Sequence, residues 1–523
     1  MNGPAWPDAT RVAAGNVDRW LLRRFGDDAH LHLIALRICV CALLLLGGDL
    51  GQAVPWAAAS PALWRPPPGA EWLAVVASAL GHDGARALLW LTRALLLLAA
   101  FGIGGGLALG LSAFGCVVLL GLPQLSGTVR HSHHLVWLLL LLALAGRPRP
   151  GLGAARALAG IWGLFACVYV FPGLHKLLNV GADWATGDLV LRHARWKWLQ
   201  VGRVPALAAW LPPWAFTVGG AAVLLLELGW PLLALSRRAA PVLLLATVAF
   251  HQAAAALLFI AFPSLWLPLL TLLPWPAWSR ALRGWPAAQS ADAPRSPPAS
   301  PMAGRVRLGL GLLLLGAVEV QGARGQTEAW PFACYPHFAV QAAAEMPALR
   351  VRWTAVDGTP QVETPRPLDG DRQRLWGQIW SLALDRDSER RCRRQRAWLQ
   401  DWLCAQPNAR SDGPCRPGAR IEVERVWLST DPATAGRVVR AEASCSFEGL
   451  RAAGGDGAAA GERPKDALPS PRRPSLPPDP AGHRPRPWSP ADAHAPPASD
   501  QAQAPARRLG RQCRARRGRP AGL

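Results

Sequence analysis

In the stretch VYVFPGLHKLLNVGADWATGDLV, residues 168–190, an apolar helix carries His175 and Lys176 where a hydrocarbon environment should continue. Ionisable groups at membrane depth are costly and as a rule face a cavity inside the protein, so they are the first places to look for chemistry. The same criterion selects Arg37, Arg93, the run His131, Ser132, His133, His134, and then Glu227 and His251. A lysine that water does not reach can stand as the free amine, which is a competent general base near neutral pH. Pro172 and Gly173, just before it, are expected to loosen the helix there.

Each of these residues also has a plainer reading. Lys176 could snorkel, its stem in lipid and its ammonium among headgroups. Arg37 and Arg93 could be packing groups bonded to backbone carbonyls or to Glu227. His133, His134 and His251 could supply imidazoles to a metal, but adjacent histidines point apart on a helix, so no metal is expected and the cluster reads as interfacial histidines that titrate.

The elements that must position these groups follow from how apolar residues are distributed. Runs such as CVCALLLLGGDL, HLVWLLLLLALAG and PVLLLATVAFHQAAAALLFIAF are separated by short arginine-containing loops, the pattern of a polytopic membrane protein. Nine spans are expected, at about 30–49, 86–103, 104–122, 133–146, 157–175, 214–236, 240–262, 264–277 and 306–323. Arg19, Arg23 and Arg24, then Arg147, Arg149 and Arg156, then Arg237 and Arg238, then Arg280, Arg283, Arg295, Arg305 and Arg307 fall in every second connection. That places the N-terminus inside and the C-terminal part outside. In this orientation the histidine run, Lys176 and His251 could converge on one pocket opening outward. The N-terminus is polar up to about His30, so the first span is expected to serve as its own insertion signal.

Residues 183–201, DWATGDLVLRHARWKWLQV, are too charged to span and read as an interfacial segment, with Trp184, Trp196 and Trp198 in the headgroup belt. The expected architecture is therefore an all-α polytopic bundle of about nine transmembrane helices over residues 1–323. A small outer-side α+β domain follows over 324–450, and a disordered Pro/Ala/Arg-rich tail over 451–523. In the outer domain ALRVRWTAVDGTPQVE reads as a hairpin about Asp357 and Gly358, and IEVERVWLS and RVVRAEASCSF as a closing strand pair. RLWGQIWSLALDR and RRQRAWLQDWLCA read as short helices. Cys39, Cys41, Cys116 and Cys167 lie in apolar helices as small hydrophobes; Cys334, Cys392, Cys404, Cys415 and Cys445 lack C-x-x-C spacing and favour disulfides over zinc. The net charge of +22 is spread over membrane loops and tail with no interleaved aromatic platform, so no nucleic-acid partner is expected. With no inverted repeat visible, a transporter is disfavoured.

Taken in order, ALRICV, HSHHLVWLLLLLAL, F-P-G-L-H-K-L followed by D-W and a glycine, E-L-G-W-P-L-L, and F-H in a later helix resemble the horizontally transferred transmembrane (HTTM) family over residues 15–280. That family includes the vitamin K-dependent γ-glutamyl carboxylases. The resemblance implies a membrane enzyme whose lysine base deprotonates vitamin K hydroquinone or another quinol. The quinol anion then reacts with oxygen, and the alkoxide so formed removes a γ-proton from a protein glutamate before carbon dioxide adds. On this correspondence Lys176 is the base, with His175 where the animal enzymes have a further lysine. His251 is the histidine of F-H, His131 or His133 is the histidine opening the fourth span, and Glu227 is the acidic position. His134 and Trp184 would line the pocket.

The part after residue 324 departs from the large luminal region that grips peptide in the animal enzymes. WPFACYPHF, residues 330–338, instead resembles a stretch following the helices in bacterial members, which implies a bacterial cytoplasmic membrane and a periplasmic outer domain. A reading of another class stands beside the enzyme: a non-catalytic membrane scaffold whose outer domain binds an envelope partner.

Overall fold

The computed structural model describes residues 8–448 except 27, 68, 127–131, 187, 202, 283–300, 325–344, 355–356, 364–387, 401–419 and 430–436. The chain divides into two units, Met1–Glu462 and Arg463–Leu523, and every described residue belongs to the first. His131, WPFACYPHF, the expected helix at 374–386, Cys334, Cys404, Cys415 and the tail lie outside the described residues.

The first part is helical: α1 (Asp8–Phe25), α2 (Ala29–Leu46), α3 (Ala53–Ala58), α4 (Trp72–Ala100), α5 (Gly105–Gly121), α6 (His133–Ala145) and α7 (Leu152–Val180). Then come the short α8 (Asp183–Thr186), α9 (Leu189–Val201), α10 (Pro213–Leu235), α11 (Ala239–Leu258), α12 (Pro263–Leu270), α13 (Trp275–Leu282) and α14 (Pro301–Ala323). Six segments are long and apolar enough to cross a membrane: Ala29–Ala58, Gly105–Leu125, Leu152–Val180, Pro213–Leu235, Ala239–Leu258 and Val306–Ala323. They coincide with six of the nine expected spans.

The other three differ for separate reasons. The run at 86–103 lies in α4, where Asp83, Arg86 and Arg93 interrupt the apolar surface. That at 133–146 is α6, only 13 residues long and buried along nearly its whole surface; at about 1.5 Å per residue it covers roughly 20 Å, short of the hydrocarbon core. That at 264–277 is broken into α12 and α13, with Thr271–Pro274 between them.

One end of the bundle is tied together by arginines. Arg24 donates to the Ala234 carbonyl, Arg237 to the Arg24 carbonyl, Arg156 to Asp18 and Arg280 to Asp28. The opposite end, where α7 and α14 finish, carries a four-stranded antiparallel sheet in the order β2-β1-β3-β4, from β1 (Glu345–Thr354), β2 (Pro360–Glu363), β3 (Arg420–Ser429) and β4 (Val438–Glu448). The expected hairpin is β1–β2, in register from Val351 opposite Glu363 to Thr354 opposite Pro360, with Gly358 at φ 82° in its turn. β3 and β4 form the expected closing pair.

Strand alternation gives this sheet two apolar faces. Leu349, Val351, Ile421 and Val423 pack beneath α15 (Ser388–Trp398) together with Leu63 from the α3–α4 connection. Met346, Ala348, Val426 and Leu428 pack against Trp196 and Leu199 of α9. Cys392 of α15 is disulfide-bonded to Cys445 of β4, which settles one pair among the cysteines of this part. Among the described residues Cys39, Cys41, Cys116 and Cys167 are free thiols in the helices.

Candidate functional site

Three helices build one pocket, each from residues at helical spacing. α7 supplies Val168, Tyr169, Pro172 and Lys176; α10 supplies Val223 and Glu227; α11 supplies Phe250, His251, Ala254 and Leu258. α7 runs unbroken through Pro172, so the proline does not interrupt it. Gly173 acts through space instead: a Cβ there would lie 2.8 Å from the Glu227 Cβ. Only glycine lets α10 approach closely enough for Glu227 to reach the next residue but two along α7.

Lys176 Nζ donates to Glu227 Oε1 at 2.5 Å, with the two residues 3 % and 4 % exposed. The second carboxylate oxygen, Oε2, is buried with no hydrogen-bond partner among the described residues. The Lys176 ammonium also sits 5.1 Å from the centre of the Trp184 ring, within cation–π range. Trp184 is brought there by α8, which Gly220 admits: a Cβ at that glycine would come 2.9 Å from the Trp184 carbonyl.

A second polar pair lies across the pocket. The Tyr169 hydroxyl and His251 Nε2 share a hydrogen bond of 2.8 Å, and Tyr169 stacks on Trp230 at 12° between planes, which fixes its ring. His251 Nδ1 is buried without a partner among the described residues. The chain turns from α11 to α12 through Phe259, a non-glycine residue at φ 55°, and so lays Ile260 and Phe262 along the wall. The resulting cavity of about 110 Å³ is lined otherwise by His193 and by aliphatic and aromatic side chains. The chamber is largely apolar, and three of its few polar atoms, Glu227 Oε2, His251 Nδ1 and Trp184 Nε1, have no partner among the described residues, so an apolar ligand with a few hydrogen-bonding groups would suit it.

Compared with protein-family models, curated proteins and solved structures, the chain matches none.

Of the residues singled out in the sequence, Lys176, Glu227, His251 and Trp184 meet in this pocket. His133 and His134 are buried but do not line it. His134 Nε2 donates to the Ser264 carbonyl at 2.7 Å, and the His133 ring stands edge-on to Trp137. His175 turns the other way, donating through Nε2 to the Gly322 carbonyl of α14 at 2.7 Å. Nor does Glu227 pair with Arg37 or Arg93: Arg93 lies over the Trp90 ring, the Arg37 guanidinium lies against Gly102, and both Nε atoms lack partners among the described residues.

Two pocket residues escaped the sequence reading. Tyr169 is one of only two tyrosines in the chain, and it stands seven residues before Lys176 on the same helix face. That spacing was the available signal. His193 lines the pocket from α9, its Nδ1 donating to the Leu189 carbonyl.

Burial holds the His193 imidazole below its ordinary pKa of 6.5, against the opposing effect of the Leu189 bond, and the Lys176 and Lys197 cations add to the depression. The folded protein therefore keeps it neutral where the unfolded chain takes up a proton, so stability is full above about pH 6.5 and falls as pH drops below it. The melting temperature should decline as pH falls below about 6.5, and His193→Gln should flatten part of that slope; an unchanged slope would remove His193 as a contributor.

Gly173→Ala tests the close approach. The added methyl must displace Glu227, at a cost of about 1–3 kcal/mol. Denaturant unfolding of the variant should show that loss, and no loss would mean that α7 and α10 part without penalty.

Proposed function

We propose that this chain is a multi-pass membrane enzyme of the HTTM kind that deprotonates a quinol in the Lys176–Glu227 pocket. The observation that carries the reading is the buried 2.5 Å contact between Lys176 and Glu227 in a largely apolar cavity. One proton joins the two side chains in a direct hydrogen bond. With the proton on Glu227, Lys176 is a free amine, and a quinol hydroxyl gives its proton to Nζ. The products are the quinol anion and a lysine ammonium beside a neutral carboxylic acid. The ammonium then pairs with the anion it has created. Trp184 and Phe262 supply aromatic surface around the ring, and the Tyr169–His251 pair offers a donor or acceptor to the far oxygen. Oxygen, being apolar, enters such a cavity readily, and the electron-rich anion is the species it meets.

One further feature supports the finer reading. The end tied by Arg24, Arg156, Arg237 and Arg280 fits the cytoplasmic side. The Lys176 end, with the sheet, then faces out, into the periplasm of a bacterial host.

The test is oxygen uptake by vesicles containing the full chain and supplied with a 1,4-naphthohydroquinone. Lys176→Ala should lower the protein-dependent rate by about a hundredfold or more, and an unchanged rate would overturn the mechanism.

The scaffold reading keeps one observation of its own: Lys176 is already engaged by Glu227, as it would be in a purely structural ion pair. Under that reading the vesicles show no protein-dependent oxygen uptake with either sequence.

A further inference from the structure

At the arginine-tied end, Arg24, Arg156, Arg237 and Arg280 are each held by a protein acceptor. Arg147, Arg149 and Arg307 are not: among the described residues none of them has a hydrogen bond or an ion pair. These three line a single groove of about 540 Å³, formed where α6 ends, α5 begins and α14 begins. No carboxylate is among the residues lining it.

Glycines shape its floor. A Cβ at Gly106 would meet the Ala143 carbonyl oxygen at 2.5 Å, so α5 and α6 touch backbone to backbone there; Arg307 Nη1 lies 3.6 Å from where a Cβ on Gly146 would stand. Three guanidinium groups in one concavity, with no acidic group to neutralise them, leave a net positive charge that a compact anion would balance.

The surroundings say what kind of anion. The groove opens at the ends of α5 and α14, both long and apolar enough to cross a membrane, so it lies at headgroup depth if they do. Immediately beside it the helices present bare apolar side chains. Leu107 and Phe114 of α5 are 71 % and 69 % exposed, and Leu312 and Leu313 of α14 are 61 % and 73 % exposed. A basic recess continuous with apolar helix surface is complementary to a phosphodiester carrying two acyl chains.

We infer that Arg147, Arg149 and Arg307 form a binding site for the headgroup phosphate of an anionic phospholipid, with its chains along α5 and α14. This inference stands on a different part of the molecule from the Lys176 pocket and does not depend on it.

The full chain, purified in a mild detergent, is titrated with phosphatidylglycerol, with phosphatidylcholine of the same acyl chains, and with inorganic phosphate, and bound species are counted by native mass spectrometry. Phosphatidylglycerol should bind at least about tenfold more tightly than phosphatidylcholine. Near an anionic surface each arginine contributes roughly fivefold, so R147Q/R149Q/R307Q should weaken phosphatidylglycerol binding by at least about tenfold, until the preference over phosphatidylcholine is gone. R147K/R149K/R307K, which keeps the charge, should retain most of the preference. The arginines are exposed, so the variants should elute like the parent in size exclusion, and that profile is read alongside. Equal binding of the two lipids, or a preference that survives the glutamine variant, overturns the inference. Displacement of phosphatidylglycerol by inorganic phosphate at millimolar concentration overturns the lipid assignment in favour of a free-phosphate site.

Discussion

Lys176→Met should destabilise the helical bundle by about 3–5 kcal/mol, and adding Glu227→Leu should recover most of that loss. The asymmetry follows from where the pair sits. Both side chains are buried and 2.5 Å apart, so each charge has given up water in exchange for the other. Removing the lysine alone strands a carboxylate whose second oxygen already lacks a partner. Removing both leaves two apolar side chains in a chamber lined by Val168, Val223 and Phe250, where they are at home. Unfolding in detergent micelles, followed for the parent, both single variants and the double variant, gives the coupling energy directly. A double variant as unstable as Lys176→Met would show that the pair is embedded in a wider polar network.

Cys392→Ser with Cys445→Ser should destabilise the sheet by about 4 kcal/mol in the chain-entropy picture, because the bond closes a loop between residues 53 apart. The effect should be local. The disulfide joins α15 to β4, and the sheet touches the helices through Leu63 on one face and through Trp196 and Leu199 on the other. Hydrogen exchange should therefore quicken in β1, β3 and β4 while α7 and α10 keep their protection. The segment to watch is α9, which packs Trp196 and Leu199 under the sheet and lines the pocket with Val190 and His193. Faster exchange there would couple the sheet to the pocket. Unchanged exchange in the strands would mean that packing, not the disulfide, holds the sheet.

What could be read from the sequence divides along physical lines. Lys176, Glu227 and His251 stood out because a titratable group in an apolar run has few innocent explanations, and all three line the pocket. Their mutual arrangement did not stand out. Lys176 and Glu227 are 51 residues apart, and their contact depends on Gly173 allowing two helices to close up, which no single-helix pattern reveals. Gly173 and Pro172 looked like a weak point in α7 and turned out to be packing residues.

The histidines of α6 show a different limit. That helix is apolar all round, so nothing in its periodicity says which face meets which neighbour. His133 and His134 were accordingly expected near Lys176, whereas they engage Trp137 and Ser264. Hydropathy marks an apolar run but not the length of the helix that carries it, so the short expected spans at 133–146 and 264–277 correspond to the 13-residue α6 and to the broken α12 and α13. The strands were legible because Asp357 and Gly358 mark the turn and alternation marks the faces. Tyr169 was passed over because an aromatic residue in an apolar helix is ordinarily core.

The functional account rests on Lys176 acting on a quinol, and the most direct measurement is epoxide formation. Vesicles carrying the parent chain, or the Lys176→Met, Glu227→Leu double variant with its fold retained, are given vitamin K hydroquinone and oxygen, and the epoxide is separated by chromatography. The account predicts epoxide from the parent and none from the double variant. Epoxide from both at the same rate, or from neither while both remain folded in the membrane, would contradict it.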